Sequence, residues 1–558
     1  MMLNGYYGNF EAELDEASAG RKNKQTSITP ADLVFGHRFW ADQQTMEYLL
    51  EFLNVFAGFS FELGIADARP YQRKRRLGLR RFVFLPDDQN AHGSDRRALA
   101  MLESALRLRL SSNAASSGGD PVEAIRLLVR SFSAVVMQRS WYAKALFPVH
   151  ESFLMWEGYR KKPGKNDPPV DVGSPSELDK GFTVGTHNHF ARSGEMVYLM
   201  LGAGTRNDPA RRERIVNRLK AILTANTALG DLVGLIEETW LDLLAAEDGQ
   251  KGNKAREGDT GTLGWLPDPD FPAFERFAED VDALLRCRLD AVEVMQMFLH
   301  LIGFHVTQYL YRRALKLTTF EGDPRPTILV DASEAGEERA IRHASVLSFK
   351  RNQELIVKAT KRRLATIFAE QLSRQADPEL VLTDLFKVNF NKYWVRAEGH
   401  EAEWLDYVPT LSSADDRLVV ARMLCATWEA ESSGFDQHFL PVHRQIAREI
   451  GLVAPRTGNG QRYVLGDALL KALVLCNVKP GGELEYYGFA ERLFDRYGLL
   501  VGPDELNRAA EWLQLYDVNR LYYQANSDAF RLKLKRAGLL TEYSDATAMV
   551  TNRTDPVA

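Results

Sequence analysis

The chain has only three cysteines in 558 residues: Cys287, Cys425 and Cys476. They lie far apart, and an odd, sparse count excludes a disulfide framework and a cysteine-ligated zinc centre. They read as small core residues in a reducing compartment. An excess of positive charge is missing too. The formal net charge is −5 and the pI about 6.2, so the chain is not a globally basic nucleic-acid binder. Local basic patches remain open, because attraction depends on where charges cluster. Long apolar runs are also lacking. The most apolar stretch, Val292 to Leu315, is interrupted by Glu293, Gln296, His300, His305 and Gln308. It reads as a helix buried in protein, not a membrane span. Met1 opens onto Leu3-Asn4-Gly5-Tyr6-Tyr7, without the basic and apolar parts of a signal peptide. The expectation is a cytoplasmic chain with no membrane partner. There is no Gly-Lys-Ser/Thr phosphate loop, Ser-His-Asp elbow, kinase set or Cys-x-x-Cys, and no cofactor is predicted.

What is present is helical periodicity. It predicts helices over 45–56, 122–136, 211–243, 274–285, 340–372 and 418–431. Strand candidates are few: Arg81 to Leu85, Gly181 to Gly185 and Thr327 to Asp331. The fold class is therefore mainly α, multi-domain, with small β additions. A chain this long exceeds one core. Polar, Gly- and Pro-rich breaks divide it into an N-terminal α/β module (1–110), a helical domain (121–320), a central helical domain (326–440) and a C-terminal domain (441–558).

The C-terminal domain carries the strongest signal. Helices are predicted over 465–478, 486–497, 503–516 and 519–537. Pro503, Asp504 and Glu505 form a good helix start, and Gly538 a good stop. A short hairpin-like segment follows Gly538. Helix, helix, helix, wing is the order of a winged-helix-like module. In the last helix Arg531, Lys533, Lys535 and Arg536 surround Phe530, Leu532 and Leu534. These cations suit phosphate contact, with Asn526 placed to read a base edge of DNA. Equally, the cations form a solvated face and the module docks on protein.

A second basic run, Arg73-Lys74-Arg75-Arg76, suits a phosphate backbone or an acidic partner, or is an exposed loop bordering an edge strand. A third, Lys350, Arg351, Lys358 and Lys361 to Arg363, follows one stripe of a long helix, the usual pattern of a solvated face. His150-Glu151 and His187-Asn188-His189 are the only candidate metal ligands. Gly181, His187, His189, Glu195 and Gly202 come near the first cupin motif, but the gap before Glu195 is one residue too long and no second motif follows. The bland reading is a loop-to-helix turn capped by Ser193, with Glu195 on the helix dipole. His300 and His305 stand about 140° apart on a helix, so they read as buried, hydrogen-bonded histidines and not a metal pair. Asp331-Ala332-Ser333 reads as a cap.

The segment from Phe35 to Phe52 and the ending from Arg531 to Asn552 resemble the ends of accessory proteins of bacterial anti-phage defence islands, of the methylation-associated or phosphorothioation-linked type. The helical third component of Zorya is a looser analogue. His150-Glu-Ser-Phe153 with Gly158-Tyr-Arg-Lys161 resembles another defence-linked family, which favours His-Glu-Thr-Phe and a Gly-Trp pair. The resemblance covers about a tenth of the chain and implies a setting beside a methyltransferase, helicase or ATPase. It brings no catalytic residue. Three functions stay open: a non-catalytic DNA-binding or scaffolding subunit of a defence system, a metal-dependent nuclease or hydrolase using the His/Glu cluster, and a pure interaction scaffold meeting acidic partners.

Overall fold

The computed structural model describes residues 34–36, 44–64, 70–73, 79–87, 93–111, 119–134, 147–154, 193–247, 259–262, 266–268, 270–318, 325–333, 339–372, 393–408, 411, 413–434, 440–455, 460–513, 519–543 and 547–557. These residues form a mainly helical protein. The helices are α1 (Thr45–Gly58), α2 (Leu79–Phe84), α3 (Gly93–Ser111), α4 (Pro121–Arg130), α5 (Ser193–Gly204), α6 (Pro209–Thr224), α7 (Thr227–Glu247), α8 (Pro272–Leu285) and α9 (Ala291–Thr318). They continue with α10 (Arg339–Leu372), α11 (Trp394–Ala397), α12 (Ala402–Leu405), α13 (Ala414–Gly434), α14 (Leu440–Glu449), α15 (Asp467–Asn477), α16 (Tyr486–Tyr497), α17 (Pro503–Leu513) and α18 (Arg520–Arg536). The strands are short: β1 (Pro70–Arg73), β2 (Asp259–Thr262), β3 (Ile328–Leu329), β4 (Val453–Ala454), β5 (Arg462–Tyr463), β6 (Glu483–Glu485), β7 (Leu499–Leu500), β8 (Leu540–Glu542) and β9 (Ala548–Thr551).

Helix α9 is the axis. Its apolar residues point all round, so it has neighbours on every side: α1, α8, α10, α14 and α15. Phe298 meets Phe52 of α1 edge to face at 5.4 Å. Gly303 lets α14 approach, since a Cβ there would lie 2.4 Å from Ile450. Two buried polar residues of α9 serve the C-terminal end of α16. Gln308 donates to the carbonyl of Tyr497 at 3.0 Å and Arg312 to that of Arg496 at 2.6 Å. A helix end whose carbonyls would otherwise lack partners is thus closed from a distant element. One buried cluster runs from Val34 to Val550, and hydrophobic contact crosses every sequence break that bounds the expected domains. A smaller cluster joins Leu364, Ala365 and Phe368 of α10 to Trp404, Val420 and Leu424 of α11–α13.

Several local expectations change. Arg81 to Leu85 is not a strand; α2 occupies it, with Phe82, Val83 and Phe84 buried and Arg126 donating to the Phe82 carbonyl at 2.8 Å. Aromatic and β-branched residues fit a strand by propensity, but packing decides. The helix expected over 122–136 stops at Arg130, and the one over 211–243 divides into α6 and α7. Gly181 to Gly185 lies outside the described residues. Thr327 to Asp331 does hold a strand, β3, paired in parallel with β7. In the C-terminal part, α16 spans the expected 486–497, and α15, α17 and α18 fall within or near their expected ranges. No single described helix is long and apolar enough to cross a membrane.

Candidate functional site

The C-terminal residues build a compact unit in which α15, β6, α16, α17 and α18 precede the β8–β9 hairpin. β9 lies between β6 and β8, all antiparallel. Gly502 and Glu505 close the start of α17 through a 3.2 Å bond, and Asn519 caps α18 by accepting from the Leu521 amide at 3.0 Å. Gly538 takes φ +71°, the left-handed stop expected of it. Tyr523, Asn526, Ser527, Phe530 and Leu534 face inward on α18 at helical spacing.

Asn526 is therefore not a reader of base edges. It is 1 % exposed, and its amide donates to the carbonyls of Val330 and Val501 at 2.9 and 2.8 Å while accepting from the Ala332 amide at 2.9 Å. It ties α18 to the β3–β7 pair. Asn526→Leu should lower stability by about 3 kcal/mol or more, because three buried backbone groups lose their partner. Urea denaturation measures this, and a loss under about 1 kcal/mol would refute the tie.

The cations of α18 are largely engaged within the chain. Arg531 and Lys535, four apart, both pair with Glu542 of β8, Arg531 at 3.1 Å. The Lys535 ammonium, then Arg531, hold the Glu542 carboxyl below its usual range. Lys533 lies 3.9 Å from Asp467. Lys535 and Arg536 remain exposed. The outer face of α18 also shows Leu521 and Tyr522 in its first turn and Leu532 near its last, and the hairpin shows Tyr543. Arg73 ends β1, opposite Asp259 of β2; Lys74, Arg75 and Arg76 lie outside the described residues.

The candidate metal ligands are not brought together among the described residues. His150 is buried, accepts from the Ser152 amide through Nδ1 at 3.1 Å, and rests its ring over Gly230 of α7. Glu151 begins the short turn that follows. His187 and His189 lie outside the described residues; among the described residues no group of three His, Cys, Asp or Glu is placed to hold a metal. Glu195 sits in the first turn of α5, and Glu51 of α1 accepts the Gly194 amide at 2.7 Å.

A second feature is invisible in the sequence. A cleft of about 740 Å³ opens between α6, α8 and α16, with Arg211, Glu279, Asp282, Arg286, Arg492 and Arg496 among its walls. Beneath it Asp280 is fully buried. Its carboxylate accepts from Arg496 at 2.6 Å, from Tyr497 at 2.8 Å and meets His305 Nε2 at 2.8 Å. Burial works to raise the Asp280 carboxyl, but His305 and Arg496 outweigh it and hold the group below its ordinary value. Burial pushes the His305 imidazole down against the pull of Asp280, so a neutral histidine faces a charged carboxylate. Burial also raises the Tyr497 phenol and the Cys476 thiol, so neither ionises near neutrality. Several guanidiniums at the cleft are matched by carboxylates: Asp282 takes Arg286 together with Arg214 of α6, and Glu279 takes Arg496, while Arg492 donates to the Asn477 carbonyl at 2.7 Å. The hub holds α8, α9 and α16 together, and solvent reaches only its outer rim. No signal could have announced it, because its members lie up to 217 residues apart. No family model, curated protein or solved structure matches this chain.

Proposed function

We propose that this chain is a non-catalytic scaffolding subunit of a bacterial anti-phage defence system, and that its C-terminal unit is a winged-helix-like module that docks on an acidic protein partner. The observation that carries the reading is the outer face of α18, where Leu521 and Tyr522 are exposed in the first turn and Leu532, Lys535 and Arg536 towards the last. The strand order β6–β9–β8 beside α18 supports the winged-helix assignment. Exposed apolar side chains on a helix that ends in cations suit an amphipathic acidic surface better than a phosphate backbone. The defence setting rests on the resemblance of the two chain ends.

DNA contact by Lys533, Lys535 and Arg536 is the competing reading, and two measurements separate them. Co-expression with the proteins encoded beside this chain, which the defence reading expects to include a methyltransferase, helicase or ATPase, should yield a complex that Leu521→Asp with Leu532→Asp abolishes. A short DNA duplex titrated at about 50 mM and about 200 mM salt should show no steeply salt-dependent binding. Steep binding lost on reversing Lys533, Lys535 and Arg536 to Glu would establish the DNA reading instead.

A further inference from the structure

Lys361 does not sit on a solvated stripe. Its ammonium lies 5.1 Å from the ring centre of Trp404, 5.3 Å from that of Trp428 and 6.0 Å from that of Tyr407. The three rings form walls. Trp404 and Trp428 meet at 61° with centres 5.7 Å apart, and Trp404 and Tyr407 at 62° and 6.0 Å. Lys361 comes from α10, whereas the walls come from α12, the residues just after it, and α13. Trp404 is 2 % exposed, and Lys361, Tyr407 and Trp428 are half-buried.

The rings attract the Lys361 ammonium but leave its N–H groups to solvent. A primary ammonium carries three N–H donors and seeks oxygen acceptors. Among the described residues Nζ has no carboxylate within 4.0 Å, and no hydrogen-bond acceptor. A ring face offers a negative quadrupole but no strong acceptor. A quaternary ammonium needs none, because its charge is spread over methyl groups that press directly on the rings. Walls that are all π suit a fully methylated cation better than the lysine now inside them.

We infer that Trp404, Tyr407 and Trp428 form a binding site for a quaternary ammonium group, and that Lys361 holds it shut as an internal ligand. The group is either a free alkylammonium or a trimethylated lysine side chain. Both share the N-trimethyl cation.

Calorimetry on the full chain tests this with choline, with an N-acetylated trimethyllysine amide, and with 3,3-dimethylbutan-1-ol, the neutral isostere of choline. Lys361→Ala should bind one of the two cations roughly tenfold or more tightly than the native chain. The tighter cation identifies the source. The neutral isostere should bind far more weakly, and adding Tyr407→Leu should reduce cation affinity. In the native chain the N-methyl proton resonances of choline should shift upfield, a readout that stands even where Lys361→Ala fails to fold. Equal binding of the neutral isostere would show a mere hole in the core and overturn the assignment. So would the absence of both the upfield shift and a gain in affinity.

Discussion

Asp280→Asn should lower the stability of the protein by about 3–5 kcal/mol, because it strips a buried ion pair of its anion. Arg496 would keep its charge with only Glu279, at the rim, as counterion. The Asn side chain is the same size, so no cavity contributes, and its amide nitrogen would meet one of three donors that now converge on the carboxylate. The measurement is the urea midpoint at constant slope. A shift equivalent to less than about 1 kcal/mol would show that the hub does not tie the three helices together. The same hub sets a pH dependence. His305 is held neutral below its ordinary value of 6.5, so on acidification the unfolded chain takes up a proton that the folded chain refuses. Its contribution is therefore complete above about pH 6.5 and is lost as pH falls below that. Asp280 acts in the same direction at lower pH. Its folded value lies below the ordinary 3.8, so its contribution is present above that value and disappears as pH falls through the folded one. The urea midpoint should drop between about pH 7 and about pH 5, and His305→Gln should shrink that drop. A drop unchanged in His305→Gln would assign it to other groups.

Gly498→Ala should cost about 4 kcal/mol, a large share of the roughly 5–15 kcal/mol by which a folded protein is ordinarily stable. Gly498 ends α16 at φ +72°, where a side chain strains the backbone by about 1–2 kcal/mol. The greater problem is space. A Cβ would lie 1.7 Å from the carbonyl oxygen of Pro326, a backbone atom that cannot rotate away. Relief requires β3 to move from β7, which breaks the bonds from Ile328 to Gly498 and from Val330 to Leu500, at 2.8 and 3.0 Å. Thermal melting of the purified variant decides the point. A melting temperature within about 3 °C of the native chain would mean that the β3–β7 junction is pliant.

Most of the longer helices, and several of their ends, were legible in the sequence. Spacing of apolar residues marked α16 over 486–497 and α10 near 339–372, and Pro503 and Gly538 marked a start and a stop. These are local effects, set by which residues within one or two turns share a face and by which backbone angles a residue permits. It also marked His305 as buried and hydrogen-bonded, and the cysteines as small residues of the interior, Cys476 being the one only half-buried. The direction in which a polar side chain points was decided by the tertiary structure. Asn526 and Lys361 both read as surface groups, yet one is locked into a backbone junction and the other stands in an aromatic cage. Arg531 and Lys535 read as a cationic ridge, yet they share Glu542. A charge pattern along one helix records neither the carboxylates nor the rings that folding brings from elsewhere. The Asp280 hub and the Trp404 cage are built across chain separations that periodicity cannot register, so only packing around α9 and α10 could assemble them.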